Sequence, residues 1–368
     1  MNHPPGHPAS PAITEPTQAG HLHARGLPHE FVRDRRRQRT VLLLVLTASL
    51  LLAANLGAGV LLRRFSPNRG YRLIERKWAM LEAANSPLLP VDTLILGDSS
   101  GNQGIDPRAV AAHFGGRAVN LCTVGDLLLL NDAWMLERYL QKYPPPKRLI
   151  LAHVYDVWQR RPRARNFTRV PVVPAVGEMA ATPPLTMTPG ERATLLMDRL
   201  LPLYSENESV SLLLRRPLYC WSSGITEAPP SFAGFEPRPA GAPGAIERNA
   251  RQHLHGLKRT RGGLSEANRA ALARIDELAA AHGFEVYISV GPVYEAFAND
   301  PVYQRFWGES EAAIRSAVAA MPYVHLAVPR PTAAPLGDLE SVDHVSEIGA
   351  AIYTSNLLRS ITGPRMTK

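Results

Sequence analysis

Cysteine is scarce, with only Cys122 and Cys220 among 368 residues. Two cysteines cannot build a disulfide framework, and without a C-x-x-C pair there is no zinc ribbon or thioredoxin-like redox centre. One bridge between them in an oxidising compartment and two buried thiols both stay open. The chain has no glycine-rich nucleotide loop, flavin fingerprint or metal box, so no cofactor and no metal are expected. It also lacks zinc-finger spacing, an aromatic RNP-like strand and a continuous basic helix. No nucleic-acid partner is therefore expected, despite a net charge of +9. No internal repeat is present. The apolar share of 45% and charged share of 20% are those of an ordinary folded protein.

There is one long uncharged apolar run, Thr40–Leu62. At ~1.5 Å rise per residue it matches a ~30 Å hydrocarbon core, and it exceeds the ~7–15 apolar residues of a cleaved signal peptide. We read it as a transmembrane anchor at 40–62, with the bilayer as a partner. A twin-arginine signal at Arg35-Arg36-Arg37 finds no support in the flanking residues. Residues 1–39 read as a disordered basic tail, of which 1–32 are rich in Pro, His, Gly and Ala with little to bury. A metal caught by its histidines (His3, His7, His21, His23, His29) is the weaker reading. The juxtamembrane arginines suit anionic headgroups. They do not orient the anchor: six basic residues precede it (Arg25, Arg33, Arg35, Arg36, Arg37, Arg39) and six follow (Arg63, Arg64, Arg69, Arg72, Arg76, Lys77).

Beyond the anchor, residues 63–90 form a linker whose segment Tyr71–Asn85 reads as an amphipathic helix. From 91 to 368, short apolar runs bounded by turn residues alternate with helical periodicity. Strands are expected at Asp92–Leu96, Ala118–Cys122, Arg148–Val154, Phe284–Val290 and Tyr323–Val328. Helices are expected at Pro107–Phe114, Asp126–Tyr143, Ala267–His282, Val302–Ala320 and Glu347–Ile361. This is an α/β domain with a parallel sheet covered on both faces. Residues 155–263, rich in Pro and Arg, interrupt the rhythm as an insertion with short helices near Glu191–Leu201 and Ser209–Leu214. Its arginines 160, 161, 163, 165 and 169 read as a solvated loop, with binding of an anionic polymer as the alternative.

Sites in open α/β sheets form at the C-terminal ends of strands. Ser99 follows the first strand, Gly125 lies past the second, and His344 precedes the last helix. A serine hydroxyl needs a base, and histidine is the usual one. A strand-to-helix turn exposes that hydroxyl and aims backbone N–H groups at a developing oxyanion. Glycine at 125 would admit a second N–H. Asp98 is expected to order the turn, and His153 to be a satisfied core histidine.

Three stretches resemble the SGNH/GDSL hydrolases: Ile95-Leu96-Gly97-Asp98-Ser99-Ser100, Asn120-Leu121-Cys122-Thr123-Val124-Gly125-Asp126, and Asp343-His344-Val345-Ser346-Glu347-Ile348-Gly349-Ala350 with Tyr353-Thr354 after it. The last spelling is similar to the membrane-anchored, extracytoplasmic branch of that family, which includes alginate O-acetylation and teichoic-acid D-alanylation proteins. The resemblance implies an SGNH-like, flavodoxin-like three-layer fold. It implies Ser99 as nucleophile, His344 as base, and the N–H groups of Ser99 and Gly125 as the oxyanion hole. It further implies a periplasmic domain on the inner membrane and an envelope-glycan substrate. A multi-spanning membrane-bound O-acyltransferase would be the partner.

Two positions depart from the family pattern. Tyr155 stands where the family has an oxyanion-hole asparagine, in His153-Val154-Tyr155-Asp156, so a phenol would serve the oxyanion from a different place. Ser341 occupies the usual acid position, three residues before the histidine. Asp343 is the first candidate for the acid, ahead of Asp338, Glu340 and Asp156. Three functions follow: an O-acyltransferase or esterase, an inactive scaffold binding a glycan or an acyltransferase, and a cytoplasm-facing regulator.

Overall fold

The computed structural model describes residues 29–65, 68–83, 86, 89–170, 188–216 and 233–362. Cys220, the tail before residue 29 and the tail histidines' side chains lie outside this description. The chain divides into two compact units, one ending at Ala54 and the other running from Asn55. Helix α1, His29–Phe65, carries the apolar run and extends before it, so residues 29–39 are helical rather than part of a disordered tail. Within Arg35–Leu62 an 18-residue stretch has a mean hydropathy of 2.3, and this part of the helix is long and apolar enough to cross a membrane.

In the second unit, α2 (Arg69–Glu82) is capped by Asn68, whose side chain accepts from the Tyr71 N–H. The main sheet has five parallel strands: β1 (Thr93–Gly97), β2 (Ala118–Asn120), β3 (Arg148–His153), β4 (Glu285–Val290) and β6 (Val324–Val328). Their order is β2-β1-β3-β4-β6. The order reverses between β1 and β3, and the ends of those two strands define the crevice where such sheets bind ligands. A two-stranded parallel pair, β5 (Val293–Tyr294) and β7 (Ala333–Ala334), lies apart.

Side-chain alternation divides the core between the two faces of the sheet. Leu94, Leu96, Leu149 and Leu151 face one layer, with α2, α5 (Leu128–Lys142), α10 (Glu266–His282) and α12 (Pro301–Val318). Ile95, Ile150 and Ala152 face the other, with α4 (Pro107–Phe114) and α13 (Glu347–Thr362). Each such buried aliphatic side chain contributes about 1.5–3 kcal/mol. Local sequence sets the helix ends. Asp106 caps α4 with Pro107 in its first turn, and Asp300 with Pro301 does the same for α12. Ser265 starts α10, and left-handed Gly283 stops it.

Between β3 and β4 the chain makes a 3-10 segment at Ala164–Arg169, then α6 (Pro189–Leu200), α7 (Pro202–Ser205), α8 (Asn207–Arg215) and α9 (Pro243–Leu257). The remaining helices are α3 (Ser99–Gly104) and α11 (Glu295–Ala298). Most expected elements appear within a few residues of their sequence bounds. The expected helix from Asp126 divides into a 3-10 turn, Gly125–Leu127, and α5.

Candidate active site

The C-terminal end of β1 delivers Ser99. Gly97 leaves the strand at φ +142°, and a Cβ there would stand 1.9 Å from the Ala152 carbonyl oxygen on β3. Only glycine lets the two strand ends approach this closely. Asp98 then caps α3: its carboxylate accepts from the Ser100 N–H at 2.8 Å, the Ser100 hydroxyl at 2.6 Å and the Val154 N–H at 2.8 Å. Ser99 is the first residue of α3, so its N–H has no acceptor within the helix. Its side chain is half-buried rather than sealed in the core.

A histidine 245 residues away completes the contact. His344 Nε2 lies 2.7 Å from Ser99 Oγ. On the other side of the ring, Nδ1 lies 2.8 Å from Asp343 Oδ1 and 3.1 Å from Ser341 Oγ. Ser341 also donates to Asp343 Oδ1 at 3.3 Å. Of the four acids considered, Asp343 is the one at hydrogen-bond distance from the ring. Adjacent side chains point the same way here because the backbone folds back sharply. The Glu340 and Ser341 N–H groups both donate to the His344 carbonyl, at 2.8 and 3.2 Å, and Leu339 bridges Val345. The loop is anchored further by Ser346 N–H to Asp338 C=O at 2.8 Å. Just beyond it, the Thr354 hydroxyl donates to Gly104 C=O at 2.9 Å.

Burial disfavours a charge on either partner, but each ion outweighs that cost for the other. The Asp343 carboxylate raises His344 from 6.5 to about 9, and the His344 imidazolium holds Asp343 below the ordinary carboxylate value. A base must be neutral to accept a proton. The rate should therefore climb about tenfold per pH unit between 7 and 9, then level off. Asp343→Asn should move that midpoint down toward 6.5. It should also lower the plateau by as much as ~10⁴-fold, the loss seen for the equivalent change in a serine protease. The pH dependence of kcat/KM for both proteins checks this, and an unchanged midpoint in Asp343→Asn would separate Asp343 from the base.

Gly125 opens the 3-10 turn beyond β2, held to β1 by Thr123 N–H donating to Gly97 C=O at 2.8 Å. A Cβ on Gly125 would lie 3.6 Å from Asp98 Oδ2 and 3.5 Å from Arg160 Nη1, so this glycine sits beside the Ser99 turn. Tyr155 is placed differently. It is buried among Phe297, Tyr303 and Phe306, and its hydroxyl is engaged with His253 Nδ1 at 2.7 Å. That hydroxyl is committed to α9.

Asp98 orders the turn and His153 is a core histidine, as expected, but the sequence does not show that Asp132 joins them in a buried trio beneath the turn. His153 Nε2 lies 2.7 Å from Asp132 Oδ2, and its Nδ1 lies 3.5 Å from Asp98 Oδ2. Burial opposes all three charges. The hydrogen bond and charge of His153, with the Ser100 and Val154 donors, nevertheless bring Asp98 down to about 2. The two carboxylates raise His153 to about 9, whereas burial dominates at Asp132 and raises it. The trio ties the ends of β1 and β3 to α5. A visible signal was Asp132 itself, an acid within the apolar stretch Leu127-Leu128-Leu129-Leu130-Asn131-Asp132-Ala133-Trp134.

The insertion arginines are partly paired. Arg160 bridges Asp126 at 3.2 Å and Asp156 at 2.6 Å, Arg165 meets Asp198 at 3.5 Å, and Arg169 pairs with Glu75 and Glu206. Arg161 and Arg163 are exposed. Asp156 is thus a partner of Arg160. Cys122 is a buried free thiol packed beside Gly101. Among the described residues no group of three or more His, Cys, Asp or Glu side chains is arranged to hold a metal ion. No protein-family model and no curated protein matches the chain.

Proposed function

We propose that the chain is a membrane-anchored serine acyltransferase or esterase acting on acyl esters, acetyl above all, of a cell-envelope glycan. The observation that carries this reading is the continuous contact from Ser99 Oγ through the His344 ring to Asp343 Oδ1, at 2.7 and 2.8 Å. With His344 neutral, the Ser99 hydroxyl donates to Nε2 and the Nδ1–H donates to Asp343. Oγ attacks the acyl carbon as its proton passes to Nε2. The ester C–O bond then breaks, and the leaving oxygen takes that proton. A glycan hydroxyl or water attacks the acyl-enzyme in the reverse sequence. The Ser99 and Gly125 N–H groups serve the oxyanion. The resemblance in the three motif blocks supports an SGNH-like domain on the periplasmic face of the inner membrane, beside a multi-spanning O-acyltransferase.

One observation favours a second reading, an inactive scaffold for a glycan or an acyltransferase. The Tyr155 hydroxyl is spent on His253, leaving the oxyanion one side-chain donor short. In a serine protease that loss costs ~10²–10³ in rate. A fluorophosphonate separates the two readings. The enzyme should form a stoichiometric adduct on the peptide containing Ser99, faster at pH 9 than at pH 7. A scaffold would leave that peptide unmodified at both.

A further inference from the structure

Helices α6 to α8 each expose large apolar side chains. On α6 the buried positions are Leu195 and Asp198, whereas Ala193, Leu196, Met197 and Leu200 are exposed, Leu200 by 59%. Those four share one helix face at i, i+3, i+4 and i+7. Tyr204 on α7 and Leu214 on α8 are exposed by 67% and 76%. Three charged groups of the segment point inward, while Glu191, Thr194, Asn207 and Glu208 are exposed. Asp198 meets Arg165, Glu206 pairs with Arg169, and Arg199 donates to the Val170 carbonyl at 3.0 Å. A helix in water would be arranged the other way round.

The segment also touches the apolar run of α1. Asn55, Ala58 and Leu62 are buried along one stripe of that helix, while Leu56, Val60 and Leu61 are exposed. At Gly59 a Cβ would lie 3.4 Å from Pro202 Cγ, the close approach that small residues give helices packed in lipid. Asn55 precedes Arg63 by eight residues, about 12 Å of helix. The α6–α7 junction therefore lies alongside the run, well before its charged end.

Pro202 breaks the helix at that junction, and three of the backbone groups it strands are taken up locally. Each finds a side chain of the protein. Asn55 Nδ2 donates to Leu200 C=O at 2.6 Å, and Asn55 Oδ1 accepts from Leu203 N–H at 3.3 Å. The Ser205 hydroxyl donates to Asp198 C=O at 2.8 Å, where proline has no N–H to give. Broken backbone at membrane depth requires such internal satisfaction, because no water is there to supply it. The ends are suited to an interface. α6 starts with the exposed capping box of Thr188 and Glu191, and α8 closes on Arg215 and Arg216, whose stems can reach back to the headgroups.

We propose that residues 189–216 form a re-entrant helical hairpin in the leaflet on the domain's side, with Leu196, Met197, Leu200 and Tyr204 against phospholipid acyl chains. The domain is then seated in the bilayer rather than tethered above it. This rests on α1 occupying a bilayer and is independent of the chemistry at Ser99.

The test places p-benzoylphenylalanine in the full-length protein at Leu196, Leu200 or Tyr204, with Leu51 as lipid-facing and Arg251 as water-facing reference. The protein is irradiated in phosphatidylethanolamine–phosphatidylglycerol vesicles and in native membranes. The expected result is a mass gain of one phospholipid at 196, 200 and 204, in yields comparable to that at 51 and absent at 251. Yields matching those at 251 while 51 still labels would overturn the hairpin alone. Cross-links at 196 and 200 to another protein in native membranes would also overturn it, because the face would then belong to that partner. Failure at 51 as well would overturn the membrane reading of α1 together with the hairpin.

Discussion

Ser99→Ala in the full-length protein is expected to bring hydrolysis of a simple aryl acetate down to the buffer background. In another serine hydrolase, removing the nucleophile costs about 10⁶ in kcat, and removing its histidine costs as much, because the two act as one unit. The geometry predicts the same coupling here, since His344 Nε2 has Ser99 Oγ at 2.7 Å as its contact on that side of the ring. His344→Ala should therefore match Ser99→Ala, and the double variant should be no worse. The substitution is also mild for the fold. Ser99 is half-buried, and Asp98 provides the α3 cap through Ser100 rather than through Ser99. Full activity in Ser99→Ala would leave the esterase reading without its nucleophile.

Gly97→Ala is expected to unfold the domain or come close to it. The added Cβ would meet the Ala152 carbonyl oxygen at 1.9 Å and its carbon at 2.7 Å, and both belong to the backbone of β3. That carbonyl also accepts from Asp98 N–H at 2.9 Å. Relief would require parting β1 from β3 where they hold Ser99 and His153. The φ of +142° adds strain for any side chain. We expect a loss of about 4 kcal/mol or more, seen as a fall of about 10 °C in the thermal midpoint of the detergent-solubilised chain. Gly115 is the control. Its φ is +73° and ψ 162°, but a Cβ there meets nothing within 4 Å, so Gly115→Ala should cost only backbone strain of about 1–3 kcal/mol. A Gly97→Ala midpoint within about 2 °C of the parent would show that the strand ends can separate freely.

Much of the sheet was legible because each buried strand is a short aliphatic run ending in turn residues. Helix α4 was equally clear, with Asp106-Pro107 at one end and Gly115 at the other. Helix α9, Pro243–Leu257, was not read. It buries only Ile246, Ala250 and Leu257, and its N-cap makes no side-chain hydrogen bond. Helix α3, with Ser-Ser-Gly-Asn-Gln-Gly, has no helical propensity to read. It forms because Asp98 caps it and the sheet ends hold it.

At the site, the residue types and their order along the chain marked Ser99, Gly125 and His344. The choice of acid was harder, since neighbouring side chains ordinarily diverge. It took the reversal between Glu340 and His344 to turn Asp343 toward Nδ1. The engagement of Tyr155 with His253 joins residues 98 apart across the insertion. No local pattern encodes that contact, nor the pairing of His153 with Asp132.

The most direct test of the central claim is the intact mass of the full-length protein, acid-quenched seconds after mixing with an aryl acetate at pH 9, followed by peptide mapping. The account predicts one acetyl group, on the peptide containing Ser99, that disappears when a hydroxyl acceptor is added. Catalytic turnover with the acetyl group on any other residue, or no acetylated chain at all, would contradict it.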